Sequence, residues 1–395
     1  MGFLSRDDIV RAIDGGLLRF ESDQIFQIGE SCIDISLGSL YERNPLNEQE
    51  FSDLLYREEF HGVKATFSDY MALCRELPFR DGYETVDHRN IHYAESVEIS
   101  TIPNFLIRRV TPRSSPARLF LWIKEDPSFD ANFSKADPDG IFHGRIPMII
   151  NTLGPGVKLY KNVKYPSLFL RDSEPYLIYD SLLSVVDRGE ISVQYPDSDK
   201  TDFAKHHRYA FPQTAKWLQG LFSRPSITDK KPVLYEIGNT SIDYWNSKIL
   251  ISLFDRIEIL TGDEPLDPNE DNSHRFSSVD LPSYLEKPLR IKEGTAFIAS
   301  TREKIRISEN YIGETDTNIR FIPGYGLILH PDCPYHKPGS DSQLILECYA
   351  ISDIDLFAGM PVGGIRVYRM NSPTTYIGRY SGQMGITHSK AHQGL

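Results

Sequence analysis

Apolar and polar residues alternate along much of this chain with a period of two, a pattern that predicts many short strands and few helices. The clearest run is Gln343-Leu344-Ile345-Leu346-Glu347-Cys348-Tyr349. Successive side chains of a strand point to opposite faces, so Leu344, Leu346 and Cys348 share one face and Ile345, Glu347 and Tyr349 the other. Glu347 is then a carboxylate on a largely apolar face. Desolvation there raises its pKa toward the range a general base or acid needs near neutral pH, although a structural ion pair or a solvated sheet face accounts for such a residue equally well. A helical period is confined to short stretches. At the start, Ser5 stands as a cap, Asp7 and Asp8 occupy the first turn, Ile9, Val10 and Ile13 follow at helical spacing, and Gly15-Gly16 closes. Trp217-Leu218-Gln219-Gly220-Leu221-Phe222 reads as a second short helix.

The strands come twice. Ser31-Cys32-Ile33-Asp34-Ile35-Ser36-Leu37-Gly38 is matched with Thr240-Ser241-Ile242-Asp243-Tyr244-Trp245, Glu98-Ile99-Ser100 with Arg306-Ile307-Ser308, and Gly144 to Ile150 with Ser342 to Cys348. Lys161-Asn162-Val163-Lys164-Tyr165 is matched with Ala358-Gly359-Met360-Pro361-Val362. A repeat in the same order predicts two tandem domains of similar fold, residues 1–195 and 232–395, with a polar connector at 196–231. Asp263 to Ser278 is expected to be an exposed loop.

A chain of 395 residues suits two or three domains. With 21 Tyr, 21 Phe, 25 Pro and 27 Gly, the composition supports a mainly β protein. A formal net charge of -12 argues against nucleic acid and anionic membrane as partners, leaving room for a local basic pocket that takes a small phosphorylated ligand. No apolar run of about 18 residues and no signal-peptide pattern is seen, so a cytoplasmic protein is expected. Cys32, Cys74, Cys333 and Cys348 show no paired spacing and are expected to be free thiols.

The densest chemistry in the first half is Arg113-Ser114-Ser115-Pro116-Ala117-Arg118-Leu119. Two hydroxyls and two guanidinium groups so close together present several donors to an anion; an ordinary solvated turn is the alternative. This stretch resembles the Arg-Ser-Ser-x-Ala-Arg-Leu motif of the dCTP deaminases, which belong to the dUTPase-like superfamily. The stretch Leu327 to Glu347 is similar to the family's next motif, with His330 at its histidine, Pro338-Gly339 at its turn and Leu346-Glu347 at its Leu-Glu pair. Arg379-Tyr380-Ser381-Gly382-Gln383 and the residues to Ser389 resemble its C-terminal lid, and the opening helix with Ser31 to Gly38 its beginning. The likeness is closest to the double-length branch, with two dUTPase-like domains in one chain.

The resemblance implies two distorted β-barrel or jelly-roll domains with short helices, and hydrolytic deamination of dCTP to dUTP with release of ammonia. Glu347 would be base and later acid, Ser114 and Arg118 its catalytic companions. Arg113, Ser115, His330, Arg379, Tyr380 and Gln383 would bind substrate. Mg2+ would come with the triphosphate, and a homo-oligomer with sites between domains or subunits is implied. The halves depart from the pattern in complementary ways. Ile149 stands where the first half would carry the glutamate, and Ile319-Arg320-Phe321-Ile322-Pro323-Gly324 where the second would carry the Arg-Ser-Ser set. A further departure touches substrate choice: Pro334 replaces a family histidine and Lys337 an acid.

The spacing His330-x-x-Cys333-x-x-His336 lacks a fourth ligand, and the His-x-Glu with Pro-Cys-x-x-Cys signature of zinc deaminases is missing, so a zinc-free route with no metal on the protein is expected. Two other functions fit the same pattern. One is a dUTPase-like or bifunctional diphosphohydrolase, for which Asp34 or Asp243 would activate water. The other is a non-catalytic deoxynucleotide-binding protein.

Overall fold

The structure is a computed structural model that describes residues 2–22, 27–47, 49–50, 52–54, 67–88, 90–103, 105–124, 141–172, 176–194, 234–237, 240–243, 247–283, 286–316, 326–329 and 335–393. The expected helix Trp217–Phe222, the stretch 319–324 and residues 330–334 lie outside them. Helix Arg6–Asp14 forms as its caps dictate: Asp8 N donates to Ser5 Oγ at 3.3 Å, Ser5 N donates back to Asp8 Oδ2 at 2.9 Å, and Gly15 ends the helix.

The rest is mainly strand, as expected. In the first half, Leu37–Arg43, His92–Pro103, Ile141–Thr152 and Leu121–Lys124 pair in that order, and a second sheet joins Ile33–Asp34, Pro166–Arg171 and Ile107–Pro112. The second half repeats the plan. Lys248–Leu260, Ala296–Ile307, Asp341–Ala350 and Leu327–Leu329 pair in order, while Pro361–Arg369 joins Lys248–Leu260 to Tyr311–Asp316. Each half has its own apolar core.

Hydrogen bonds fix the register of the duplication. Ser36 N donates to the Glu98 carboxylate, and Ser252 N to that of Glu303. Ser96 Oγ receives Ile146 N, and Thr301 Oγ1 receives Leu344 N. Leu37 exchanges bonds with Asn162 and Val163, and Leu253 with Gly359 and Met360. Asn162 and Gly359 both have positive φ, 65° and 79°. The matches of Gly144–Ile150 with Ser342–Cys348 and of Lys161–Tyr165 with Ala358–Val362 therefore hold, and Ile149 is the counterpart of Glu347.

Two other matches are corrected. The partner of Glu98 is Glu303, not Arg306. The partner of Ser31–Gly38 is Ser247-Lys248-Ile249-Leu250-Ile251-Ser252-Leu253-Phe254, not Thr240–Trp245, so Asp34 corresponds to Leu250 and not to Asp243. The alternation Ser-x-Ile-x-Ile-Ser-Leu is the signal that identifies the pair.

The halves are interlocked. Leu182, Val185, Val186, Ile191 and Val193, placed in the first half by sequence, pack into the second core, and Ile191–Gln194 pairs with Ala296–Ile307. Phe3 enters between the two halves, where Phe169, Tyr335 and Tyr368 meet its ring edge to face. Asp263–Ser278 is not a free loop. Leu266 is buried and exchanges backbone bonds with Gly156 and Lys158, and Asp267 receives Lys158 Nζ at 3.0 Å and Tyr160 Oη at 2.9 Å. Much of the stretch is exposed as expected, but Leu266 and Asp267 fasten it to the other half.

Candidate active site

The strand Asp341–Ala350 lies on the seam. Leu346 and Cys348 enter the second core, whereas Ile345 and Tyr349, on the Glu347 face, pack against the first. Alternation alone therefore points Glu347 across to the other half. Its side chain is 4% exposed, and burial pushes its pKa up to about 7, with the Arg118 guanidinium pulling the other way.

What Glu347 faces is the first half's short helix Ser114–Ala117. Glu347, Ser114, Arg118, Gln343, Gln383 and Tyr380 line one small pocket of about 70 Å³. The acid from the second half and the hydroxyl and guanidinium from the first thus meet within one chain. Arg118 is tightly held: it donates to Thr387 O at 2.7 Å and Gln383 Oε1 at 2.9 Å, and lies 3.7 Å above the Tyr380 ring.

The segment Tyr376–Gln393 lies folded over this pocket. Tyr380 Oη shares a hydrogen bond with Ser115 Oγ at 2.9 Å and accepts from Lys390 N, while Ser389 Oγ donates to Ser115 O. Gln383 Nε2 donates to Gln343 O at 3.0 Å, and Gln343 Oε1 accepts from Gly385 N at 2.5 Å. His388 pairs with Glu258 and rests on Phe276. In this structure the tail is already docked, and Gln383 bonds to Arg118.

A larger cavity of about 290 Å³ adjoins the pocket and carries Arg6, Arg113, Arg379 and Lys337 with the acids Glu30 and Asp34. Arg113 Nε is 3.3 Å from Asp34 Oδ2, and Asp34 also accepts from Ser167 Oγ at 2.7 Å. Ser114, Tyr335, Lys337, Tyr376 and Tyr380 line both spaces and form the neck between them. Pro338-Gly339 makes the expected turn, with Gly339 at φ 73°.

His330 lies outside the described residues, as do Cys333 and Pro334. His336 is buried, its Nε2 bonded to Ile305 O at 2.9 Å, and burial holds its pKa down to about 4. Among the described residues no group of three or more His, Cys, Asp or Glu could hold a metal ion, and no helix is long and apolar enough to cross a membrane. Gln343 and Asp34's place in the cavity were missed by the motifs. Gln343 was detectable, since alternation puts it on the Glu347 face.

Glu347 is not the only buried acid, and the duplication separates the roles. Glu98 and Glu303 are both fully buried, and both tie the equivalent serine to the equivalent strand, so they belong to the scaffold. The counterpart of Glu347 in the other half is Ile149, so Glu347 has no acidic equivalent there. Glu98 and Glu303 accept from backbone N–H groups of the scaffold, whereas Glu347 lines a pocket, and a carboxylate whose pKa is raised by burial in a pocket is a candidate for chemistry.

Fold and site together define a tandem pair of β domains that share a cleft lined by three arginines and a lysine, beside one carboxylate whose pKa is raised by burial. Among known proteins, that of Salinispora arenicola (strain CNS-205) named dCTP deaminase, dUMP-forming, is 26% identical over 137 residues, 32% of this chain and 70% of that protein. The protein of the same name from Corynebacterium diphtheriae is 27% identical over 136 residues, covering 32% and 71%. A crystal structure of 2'-deoxycytidine 5'-triphosphate deaminase from Agrobacterium tumefaciens superposes with a TM-score of 0.62 at 15% identity. That match covers 94% of this chain and 96% of the other, so both have the double-length plan. No family model matches the chain. The resemblance to dCTP deaminases read from the motifs is borne out, and so is the mainly β fold.

Proposed function

We propose that this chain deaminates a deoxycytidine nucleotide by hydrolysis, with Glu347 carrying the protons. The observation that supports this most is the meeting of Glu347 with Ser114 and Arg118 in one pocket, each kept in one half and lost from the other. A carboxyl whose pKa lies near 7 can take and return a proton at neutral pH. Glu347 takes one from water, and the hydroxide adds to C4 of the cytosine ring. The carboxyl delivers that proton to N3. It then moves the proton of the new hydroxyl to the amino group, the C4–N4 bond breaks, and ammonia leaves with a uracil ring behind. Arg118 and Ser114 orient the water and hold the charge that develops, which preorganised donors do without reorganisation. Arg113, Ser115 and Arg379 face the phosphates, and Gln383 acts through Arg118. Mg2+ carried on the triphosphate would neutralise phosphate charge; on that wall Glu30 and Asp34 are engaged by Lys337 and by Arg113 and Ser167.

The product is dUTP if the reaction stops at the ring. The relatives' dUMP-forming name and Asp34's position beside Arg113 favour a second reading, in which the same site also cleaves the triphosphate. The test is to incubate the full-length protein with dCTP and with dUTP, and to measure ammonia and pyrophosphate separately. Ammonia from dCTP, abolished by Glu347→Gln, is the expected result. Pyrophosphate from either nucleotide adds the second activity. An intact dCTP pool with no ammonia refutes the deaminase reading.

A further inference from the structure

The neck between the pocket and the cavity carries a group whose position says what passes through it. Lys337 follows the short strand Tyr335–His336 of the second half and lines both spaces. It is held by three groups from two parts of the chain: its Nζ is 3.4 Å from Glu30 Oε2 and 3.9 Å from Cys32 Sγ, both in the first half, and 5.0 Å from the ring centroid of Tyr376 in the tail. The other side chains lining both spaces are Ser114, Tyr335, Tyr376 and Tyr380, a hydroxyl and three phenols. The remaining cations of the cavity, Arg6, Arg113 and Arg379, do not reach the pocket that holds Glu347.

We infer that Lys337 is a specificity residue that binds the phosphate nearest the sugar, so that the site accepts nucleotides and rejects the bare nucleoside. The inference rests on the proposed reading in one respect, that a cytosine ring occupies the Glu347 pocket. With the ring beside Glu347 and the outer phosphates among the three arginines, the sugar and its 5'-phosphate lie in the neck. Three aromatic rings suit the apolar face of a deoxyribose, and one ammonium suits one phosphate. A lysine is a compact charge that can turn from Glu30 to an incoming anion, which a forked guanidinium locked by two partners does less readily. Glu30 holds the ammonium at the neck while no phosphate is present.

Calorimetric titration of the full-length protein with deoxycytidine, dCMP and dCTP tests this, using wild type, Lys337→Met and Lys337→Arg. A hydrogen bond between charged groups implies a roughly ten- to hundredfold effect. We expect Lys337→Met to weaken dCMP and dCTP by that factor and leave deoxycytidine unchanged, with Lys337→Arg, which keeps the charge but not the compact shape, recovering part of the loss. An equal loss for all three ligands assigns Lys337 a structural role and overturns the inference. So does unchanged dCMP affinity, a Lys337→Met chain whose melting shows it unfolded while Lys337→Arg binds no better than it does, or a wild type that binds none of the three. Ammonia release is scored separately: nucleotide binding that depends on Lys337 without ammonia leaves the inference standing and removes the deaminase reading.

Discussion

Replacing Glu347 by Gln is the sharpest perturbation, because it keeps the shape and removes the titration. In the folded protein the carboxyl is held near pKa 7 by burial, against 4.5 for an ordinary glutamate. A group whose folded pKa is raised binds its proton more tightly folded than unfolded. Its contribution is therefore fully present below about pH 4.5 and is lost as pH rises through about 7. A difference of about 2.5 pH units at about 1.4 kcal/mol each gives roughly 3 kcal/mol, complete by about pH 8. Glu303 has its pKa raised by burial to about 7 as well, so the stability of wild type alone mixes two carboxyls. The difference between wild type and Glu347→Gln removes the shared part. Urea unfolding of both proteins between pH 4 and 9 should show the glutamine variant gaining about 3 kcal/mol relative to wild type across that range, while ammonia release falls at least about a thousandfold. A difference in stability that stays flat with pH would refute the buried-acid argument, whatever happens to the activity.

The other predictions follow from the same contacts. Arg118→Ala removes the charge that pulls the Glu347 pKa down, so the rise of activity with pH should move to higher pH while kcat drops; an unmoved pH profile would show that the guanidinium does not act on the carboxyl. Because both groups sit in one chain, mixing Arg118→Ala chains with Glu347→Gln chains should restore no ammonia release, and recovery toward a quarter or half of wild type would place the site between chains. Deleting residues after Pro373 removes the Tyr380 bond to Ser115 and both tail bonds to Arg118, which should raise the KM for dCTP roughly tenfold or more; unchanged kinetics would mean the tail is only packing. Chelation with EDTA should slow dCTP turnover and be reversed by excess Mg2+, and full activity after chelation would take the ion out of the proposed scheme.

Much of this arrangement could be read from residue order, and the limits of that reading are physical. Alternation in Gln343–Tyr349 put Glu347 and Gln343 on one face, and the structure turns that face toward the other half. The loss at Ile149 of the acid kept at Glu347 was visible once two strands were aligned. The register of other strands was not, because a short match such as Ile-Asp recurs by chance. The decisive Ser36–Glu98 and Ser252–Glu303 bonds join residues far apart in sequence. The polar stretch at 263–278 looked like a loop, because composition cannot say whether Asp and Asn meet water or the Lys158 and Tyr160 of another domain. The likeness of the tail to a lid marked Tyr380 and Gln383 as site residues, but not that they would bond Ser115 and Arg118 directly, because those partners lie 265 residues away in sequence.

The interlocking of the halves through Phe3, Leu266 and the strand Ile191–Gln194 has a consequence for how the molecule fails. Proton carrier and guanidinium ride on separate cores, so a slight slip of one core past the other pulls them apart while every strand remains intact. On warming, turnover should fade before the far-ultraviolet signal of the strands does, which would make the rate itself a gauge of how firmly the two bodies grip each other.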